Sequence, residues 1–224
     1  MAKTIATAKV IGQKVLNSTI KILEVHAPEI ASQAVPGQFV NVQVCKNTAP
    51  LLRRPFGVAG VNKEAGTFTI IYRIIGEATH ILADVCSGDE LSIVGPLGKG
   101  FDMTAQKPLL VGGGLGLAPL KFLAEGFGAG KTDILMGGRT KEEIVEKYLE
   151  TNYSTVDSVE EVWNIVAEKY GWKKIKNTLW RSWCCYAAYG RNDNYLLLLS
   201  RCLCHFSLFV FSGKGLPDQS NFRK

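Results

Sequence analysis

Several chemistries are missing from this chain of 224 residues. It has only three histidines, His26, His80 and His205. Neither His26 nor His205 has a supporting serine or aspartate constellation, so no triad chemistry is assigned. His80 falls in a short amphipathic segment and reads as a surface or partly buried side chain. No stretch reaches the roughly 18 apolar residues of a membrane span. The opening MAKTIATAKVIGQ carries no apolar core of signal-peptide length. The six cysteines (Cys45, Cys86, Cys184, Cys185, Cys202, Cys204) fit neither a secreted disulfide framework nor a zinc site. The expectation is a protein of the reducing cytoplasm without membrane insertion. Tryptophan is absent before Trp163.

An excess of one charge sign is also missing from most of the chain. The formal net charge is +6, but residues 171–224 hold nine Lys/Arg against two Asp/Glu. The first 170 residues are therefore close to neutral. A basic face of the whole protein is excluded, and no recognition motif accompanies the charge, so nucleic acid is not an expected partner. The 46% hydrophobic and 21% charged content is ordinary for a globular protein.

What is present is an ordered series of short strands. Residues 5–26 alternate around a break at Gly12–Lys14 and predict a hairpin-like pair. PGQFVNVQV and GTFTIIYRII predict two more strands, and DELSIVGPLG another that closes at Gly95-Pro96. ATHILADVC between them predicts one short helix. Together they indicate an antiparallel β-barrel over residues 1–104. At Lys107 the texture changes. KPLLVGGG predicts a buried parallel strand, LAPLKFLAEGF a helix, TDILMGGR a second strand, and TKEEIVEKYLE a helix opened by a capping box from Thr140 to Glu143. This strand–helix alternation predicts the opening of a doubly wound parallel α/β domain over residues 105–150.

Four patches on this framework have phosphate chemistry. Arg53 and Arg54 follow a strand-like segment, at its end just before Pro55, and a guanidinium held by a following proline suits bidentate phosphate contact; alone, the pair also reads as solvated loop charge. Tyr72 and Arg73 end a strand, and Gly76-Glu77-Ala78-Thr79 open the short helix. Free N–H groups at such an end suit a pyrophosphate, with the Thr79 hydroxyl as a further donor; alone, this is also an ordinary capped helix. Gly95–Phe101 reads as a rigid domain-crossing loop. Gly112 to Pro119 (GGGLGLAP) follows a strand and opens a helix. It departs from G-x-G-x-x-G, since counted from Gly114 the last position is Pro119. A proline in the first helical turn costs no hydrogen bond.

RRPFGV, YRIIGEATH, GPLGKGF, GGGLGLAP and ILMGGRT, in this order, resemble the ferredoxin–NADP reductase superfamily, and within it the electron-transfer subunits of B-type dihydroorotate dehydrogenases. The resemblance covers roughly residues 3–147. It implies FAD on Arg54, Pro55, Phe56 and Gly57, where the family often has Ser at the position of Gly57. It implies Tyr72 and Arg73 along the flavin, and the FAD pyrophosphate on Gly76, Glu77, Ala78 and Thr79. The nicotinamide dinucleotide, NAD or NADP, would lie on Gly112, Gly114, Gly116 and Pro119, with Arg139 near the adenosine side. Hydride would pass between flavin and nicotinamide without an acid–base residue. The implied partner is a catalytic dihydroorotate dehydrogenase subunit in a hetero-oligomer, a heterotetramer by resemblance. Two alternatives share these motifs: the flavin subunit of a ferredoxin–NADP oxidoreductase or sulfide dehydrogenase complex, and a non-catalytic flavin-binding remnant.

The family also carries a [2Fe–2S] cluster on four cysteines spaced roughly C-x4-C-x2-C with a fourth beyond. Cys184-Cys185 and Cys202-Leu203-Cys204 match neither that spacing nor the family's Cys-Gly-Pro segment, so no metal ligand is assigned. From about Thr151 the alternation stops, while tryptophan and cysteine accumulate. Residues 151–224 read as a tail translated out of frame or from a damaged gene; a divergent C-terminus is the alternative.

Overall fold

The computed structural model describes residues 4–45, 49–105, 108–128 and 131–137. Beyond these it describes the backbone of short strands and isolated helical residues. Six strands close a barrel in the order β1-β2-β5-β4-β3-β6: β1 (Thr4–Val15), β2 (Ile20–His26), β3 (Phe39–Gln43), β4 (Arg54–Asn62), β5 (Thr67–Arg73) and β6 (Glu90–Leu97). All six pairings are antiparallel. Helix α1 (Pro28–Ala31) precedes β3, and α2 (Glu77–Ala83) joins β5 to β6. Alternate residues point inward. Ala8, Val10, Leu23, Val25, Val40, Val42, Ile70 and Ile93 thus form a dry interior with Phe68, Tyr72 and Leu82.

Three boundaries differ from the sequence expectation. The break at Gly12–Lys14 is not a turn, because β1 runs on to Val15. A register shift between Val10 and Gly12 absorbs the glycine as a bulge, which resets the alternation. The turn comes later, where Asn17 Oδ1 accepts from the Thr19 and Ile20 N–H groups, both at 2.9 Å. Second, Arg54 starts a strand instead of following one. Pro55 and two glycines mask β4 in the sequence, yet it pairs with β3 from Arg54 to Gly57. Third, β6 continues through Gly95-Pro96 to Leu97. Gly95 is needed there, since a Cβ would lie 2.7 Å from Val40 Cγ1.

After the barrel, β7 (Leu109–Gly113), a 3-10 turn (Gly114–Gly116), α3 (Leu117–Phe127) and β8 (Asp133–Gly137) follow as expected. Strands β7 and β8 pair in parallel, Leu110 opposite Ile134 and Gly112 opposite Met136. Strand β9 (Tyr153–Thr155) extends the parallel set beside β8. Described helical residues (Glu161, Asn164, Ile165, Glu168) follow β9, and the described strands beyond them are antiparallel. β10 (Lys173–Ile175), β11 (Ala187–Tyr189), β12 (Leu196–Leu198), β13 (Ser200–Cys202) and β14 (Phe206–Ser212) pair antiparallel among themselves, and β14 is antiparallel to β7. The expected helix over 140–150 lies outside the described residues.

The chain divides into two compact units, residues 1–101 with 118–126, and residues 102–117 with 127–224. The body of α3 therefore groups with the barrel. Phe122 packs on the barrel core, and Pro119 lies 3.7 Å from where a Cβ on Gly57 would be. Among the described residues no helix is long and apolar enough to cross a membrane.

Candidate functional site

Antiparallel register brings two of the sequence patches to one end of the barrel. Val58 stands opposite Ile70 and Asn62 opposite Thr67. Going back along β4 toward Arg54 is therefore going forward along β5 toward Arg73 and into α2. The segments Arg54–Gly57 and Tyr72–Thr79, distant in sequence, share that end.

The two arginines have different work. Arg53 is committed to the barrel wall. Its Nη1 donates to the Ser92 carbonyl at 2.6 Å, and Nη2 donates to Ser92 Oγ at 2.9 Å and Gln43 Oε1 at 3.1 Å. Arg54 makes one hydrogen bond, from Nη1 to the Leu52 carbonyl at 3.1 Å. Its remaining donors have no acceptor among the described residues. Of the pair, Arg54 is the guanidinium left for an anion.

At α2 the N-terminal turn is organised by Thr79. Its Oγ1 accepts from the N–H groups of Ile75 at 2.9 Å and Gly76 at 3.1 Å, and donates to the Gly76 carbonyl at 2.9 Å. In this structure the hydroxyl hydrogen is used within the turn. The N–H groups of Glu77 and Ala78 have no acceptor among the described residues. A Cβ at Gly76 would meet nothing within 4 Å, so this turn opens on free space. Backbone donors without an acceptor and an uncommitted guanidinium at the same end of the barrel fit the diphosphate of a dinucleotide.

Tyr72 belongs to the barrel core. Its ring is only 1% exposed and lies in the barrel core. Its hydroxyl donates to Gln13 Oε1 at 2.6 Å, with the Leu82 carbonyl at 3.2 Å. Burial, with Asp84 adding to it, pushes the phenol pKa well above its ordinary value, so Tyr72 stays neutral. Its contact toward the site is Phe56, whose ring meets it edge to face at 5.8 Å and 65°. Arg73, next along β5, is half-buried at the strand end. Phe56 is half-buried and Pro55 exposed on the β4 segment.

The glycine patch is divided among elements. Gly112 ends within β7, Gly114 takes φ +52° at the start of the 3-10 turn, and Gly116 is buried at its end. Pro119 lies in the first turn of α3. Arg139 lies outside the described residues, as do the side chains of Cys184, Cys185, Cys202 and Cys204. Among the described residues no group of three or more His, Cys, Asp or Glu is placed to hold a metal. Sequence reasoning missed Gln13, whose partners lie 59 to 72 residues away; no local signal marks it.

A closed antiparallel barrel followed by a parallel strand–helix–strand is the fold of ferredoxin–NADP reductases. The structure matches one concerned with flavin-based electron bifurcation, an NADH-dependent reduced ferredoxin–NADP oxidoreductase. The TM-score is 0.63 and the identity 27%, covering 72% of this chain and 63% of that one. Ferredoxin–NADP+ reductase from Plasmodium falciparum, with 2'P-AMP, has the same fold at 11% identity, with a TM-score of 0.60 over 74% of this chain and 82% of that one.

In sequence the chain resembles the electron transfer subunit of dihydroorotate dehydrogenase B (NAD(+)). It is 40% identical to the Fusobacterium nucleatum subunit over 133 residues, 54% of this chain and 51% of that protein. It is 39% identical to the Lysinibacillus sphaericus subunit over 160 residues, 66% and 62% of the two. The chain thus spans about half to three fifths of the relatives' length. No family model matches it.

Proposed function

We propose that this chain binds FAD at the Arg54–Gly57 and Gly76–Thr79 end of the barrel. It would act as an electron-transfer flavoprotein subunit beside a dihydroorotate-oxidising catalytic subunit, with NAD as the second dinucleotide. The observation that carries this is the β4–β5 register, which gathers an uncommitted arginine and two free backbone donors at one end of the barrel. The choice of partner is supported by relatives at 36–40% identity that are electron transfer subunits of dihydroorotate dehydrogenase B.

FAD, when bound, supplies the hydride and single-electron chemistry. The chain's own contribution is grip and orientation. Arg54 neutralises phosphate charge, and the Glu77 and Ala78 N–H groups donate to pyrophosphate oxygens. Phe56, braced by Tyr72, lies on the β4 segment that would meet the ring system. Arg73 and Pro55 flank these groups. Residues 105–150 are read as the opening of the NAD(P) domain, with Gly112, Gly114 and Gly116 allowing close backbone approach and Pro119 starting the helix.

Purified full-length chain should be yellow, or become so on incubation with FAD, and should co-purify with an orotate-forming flavoprotein subunit encoded beside it. Protein that stays colourless after soaking with FAD removes the proposal. A second reading, the flavin subunit of a ferredoxin–NADP oxidoreductase, is favoured by the 27% identity to that enzyme's structure. Capture of a ferredoxin-reducing partner instead of the orotate-forming one would select it.

A further inference from the structure

We infer that Gln13 is a positioning residue for the flavin, one that fixes both flavin-binding segments of the barrel through a single amide without touching the cofactor. The inference rests on the flavin reading above.

Gln13 lies on β1 opposite Leu23, and its side chain reaches across to β5 and α2. The partners fix the orientation of its amide. Oε1 accepts the Tyr72 hydroxyl hydrogen at 2.6 Å. Nε2 donates to the carbonyls of Leu82 at 2.9 Å and Val85 at 2.8 Å, with the Ala83 carbonyl at 3.4 Å. Two amide hydrogens and one carbonyl oxygen are thereby all used.

The Leu82 and Ala83 carbonyls are among those a helix leaves unpaired at its C-terminal end, and Val85 follows the C-cap Asp84. Helix α2 has no glycine cap to satisfy them, since the residue after its C-cap Asp84 is Val85. β1 and β2 supply the donors instead. Lys21 adds to the amide of Gln13, its Nζ donating to the Ala83 carbonyl at 2.6 Å and placing a cation at the negative end of the dipole. The axial position of this short helix, and so of the Glu77 and Ala78 N–H groups at its other end, is set by side chains of the hairpin β1–β2.

The same amide acts on the second segment. Tyr72, held through its hydroxyl, presents its ring edge to face with Phe56 at 5.8 Å. One bridge, Phe56–Tyr72–Gln13–α2, therefore ties the β4 patch to the α2 patch. Shifts of well under an ångström at either patch are expected to weaken a multi-point grip on a dinucleotide.

The test uses the full chain stripped of flavin and titrated with FAD, well below its melting temperature. The variants are Gln13→Met, Tyr72→Phe and the pair together. Wild type binding FAD is the condition of the functional reading; failure there overturns that reading and this inference together. With wild type binding, Q13M is expected to raise the Kd about tenfold and Y72F about threefold. The double variant should lose less than the product of the two, because the residues act as one unit. The visible circular dichroism of bound flavin should change in both single variants, a signature that lowered stability alone does not produce. If Q13M folds and binds FAD with wild-type Kd and wild-type dichroism, Gln13 only supports the fold and the inference is overturned. Should Q13M fail to fold, Y72F decides through the same dichroism: a changed band supports the bridge and an unchanged one overturns it.

Discussion

At the residue scale, adjacent and identical side chains part company. Arg53 and Arg54 are equal candidates on paper, but only one has spare donors. Because Arg53 holds Ser92 and Gln43 with three charge-assisted bonds, R53M should destabilise the barrel by roughly 1–3 kcal/mol, read from the urea midpoint. R54M should leave that midpoint nearly unmoved and weaken FAD binding instead, by about tenfold or more. If R54M binds FAD like wild type, Arg54 is not the phosphate ligand. Tyr72 gives a pH signature. Its phenol pKa is raised in the folded chain, whereas the unfolded chain ionises near the ordinary value of about 10. The unfolded state then sheds a proton that the folded state keeps, so this contribution is full below pH ~10 and is lost as pH rises beyond it. Y72F should flatten the alkaline limb of a stability–pH curve, and an unchanged slope would show that Tyr72 ionises freely in the folded chain.

At the element scale, turns and helix ends decide where the strands point. The turn into β3 shows the constraint most directly. Gly37 has φ +93°, and a Cβ there would lie 2.7 Å from Phe101 Cδ2 and 2.9 Å from the Phe101 backbone nitrogen. That nitrogen donates to the Pro36 carbonyl at 2.9 Å, so the backbone has little room to yield. G37A should therefore cost about 2 kcal/mol or more, from backbone strain and overpacking together. A thermal midpoint within a degree of wild type would contradict this. Helices α2 and α3 were legible because their signals are local, apolar spacing with Gly and Pro starts, whereas the four-residue α1 (Pro28–Ala31) is too short to show such spacing. Strand β4 was not, since Pro55, Gly57 and Gly60 depress its strand propensity and only pairing with β3 and β5 makes it a strand.

At the scale of the whole molecule, the barrel and the start of the parallel α/β segment agree with the sequence reading. The later strands do not continue the same architecture. The parallel pair β7-β8 follows the expected order, and β9, within the segment read as a tail, extends it unexpectedly, whereas β14 pairs antiparallel with β7. We propose that the coding frame is altered near residue 151. On that proposal, another frame of the same nucleotide stretch should encode a Cys-Gly-Pro segment and a four-cysteine cluster. Sequencing the gene tests it, and the absence of both from the alternative frames would support a divergent C-terminus.

Sequence by itself determined the kinds of groups available and their order: arginine before proline, glycine and threonine at a helix start, glycines after an apolar strand. Each is a short-range pattern, and short-range patterns carry local backbone geometry and phosphate affinity. Tertiary structure alone decided which groups are free to act. It committed Arg53 to Ser92, turned the Thr79 hydroxyl inward, buried Tyr72 and recruited Gln13 from the far strand. The reason is that barrel closure pairs residues tens of positions apart, and a donor's availability depends on what that closure brings against it.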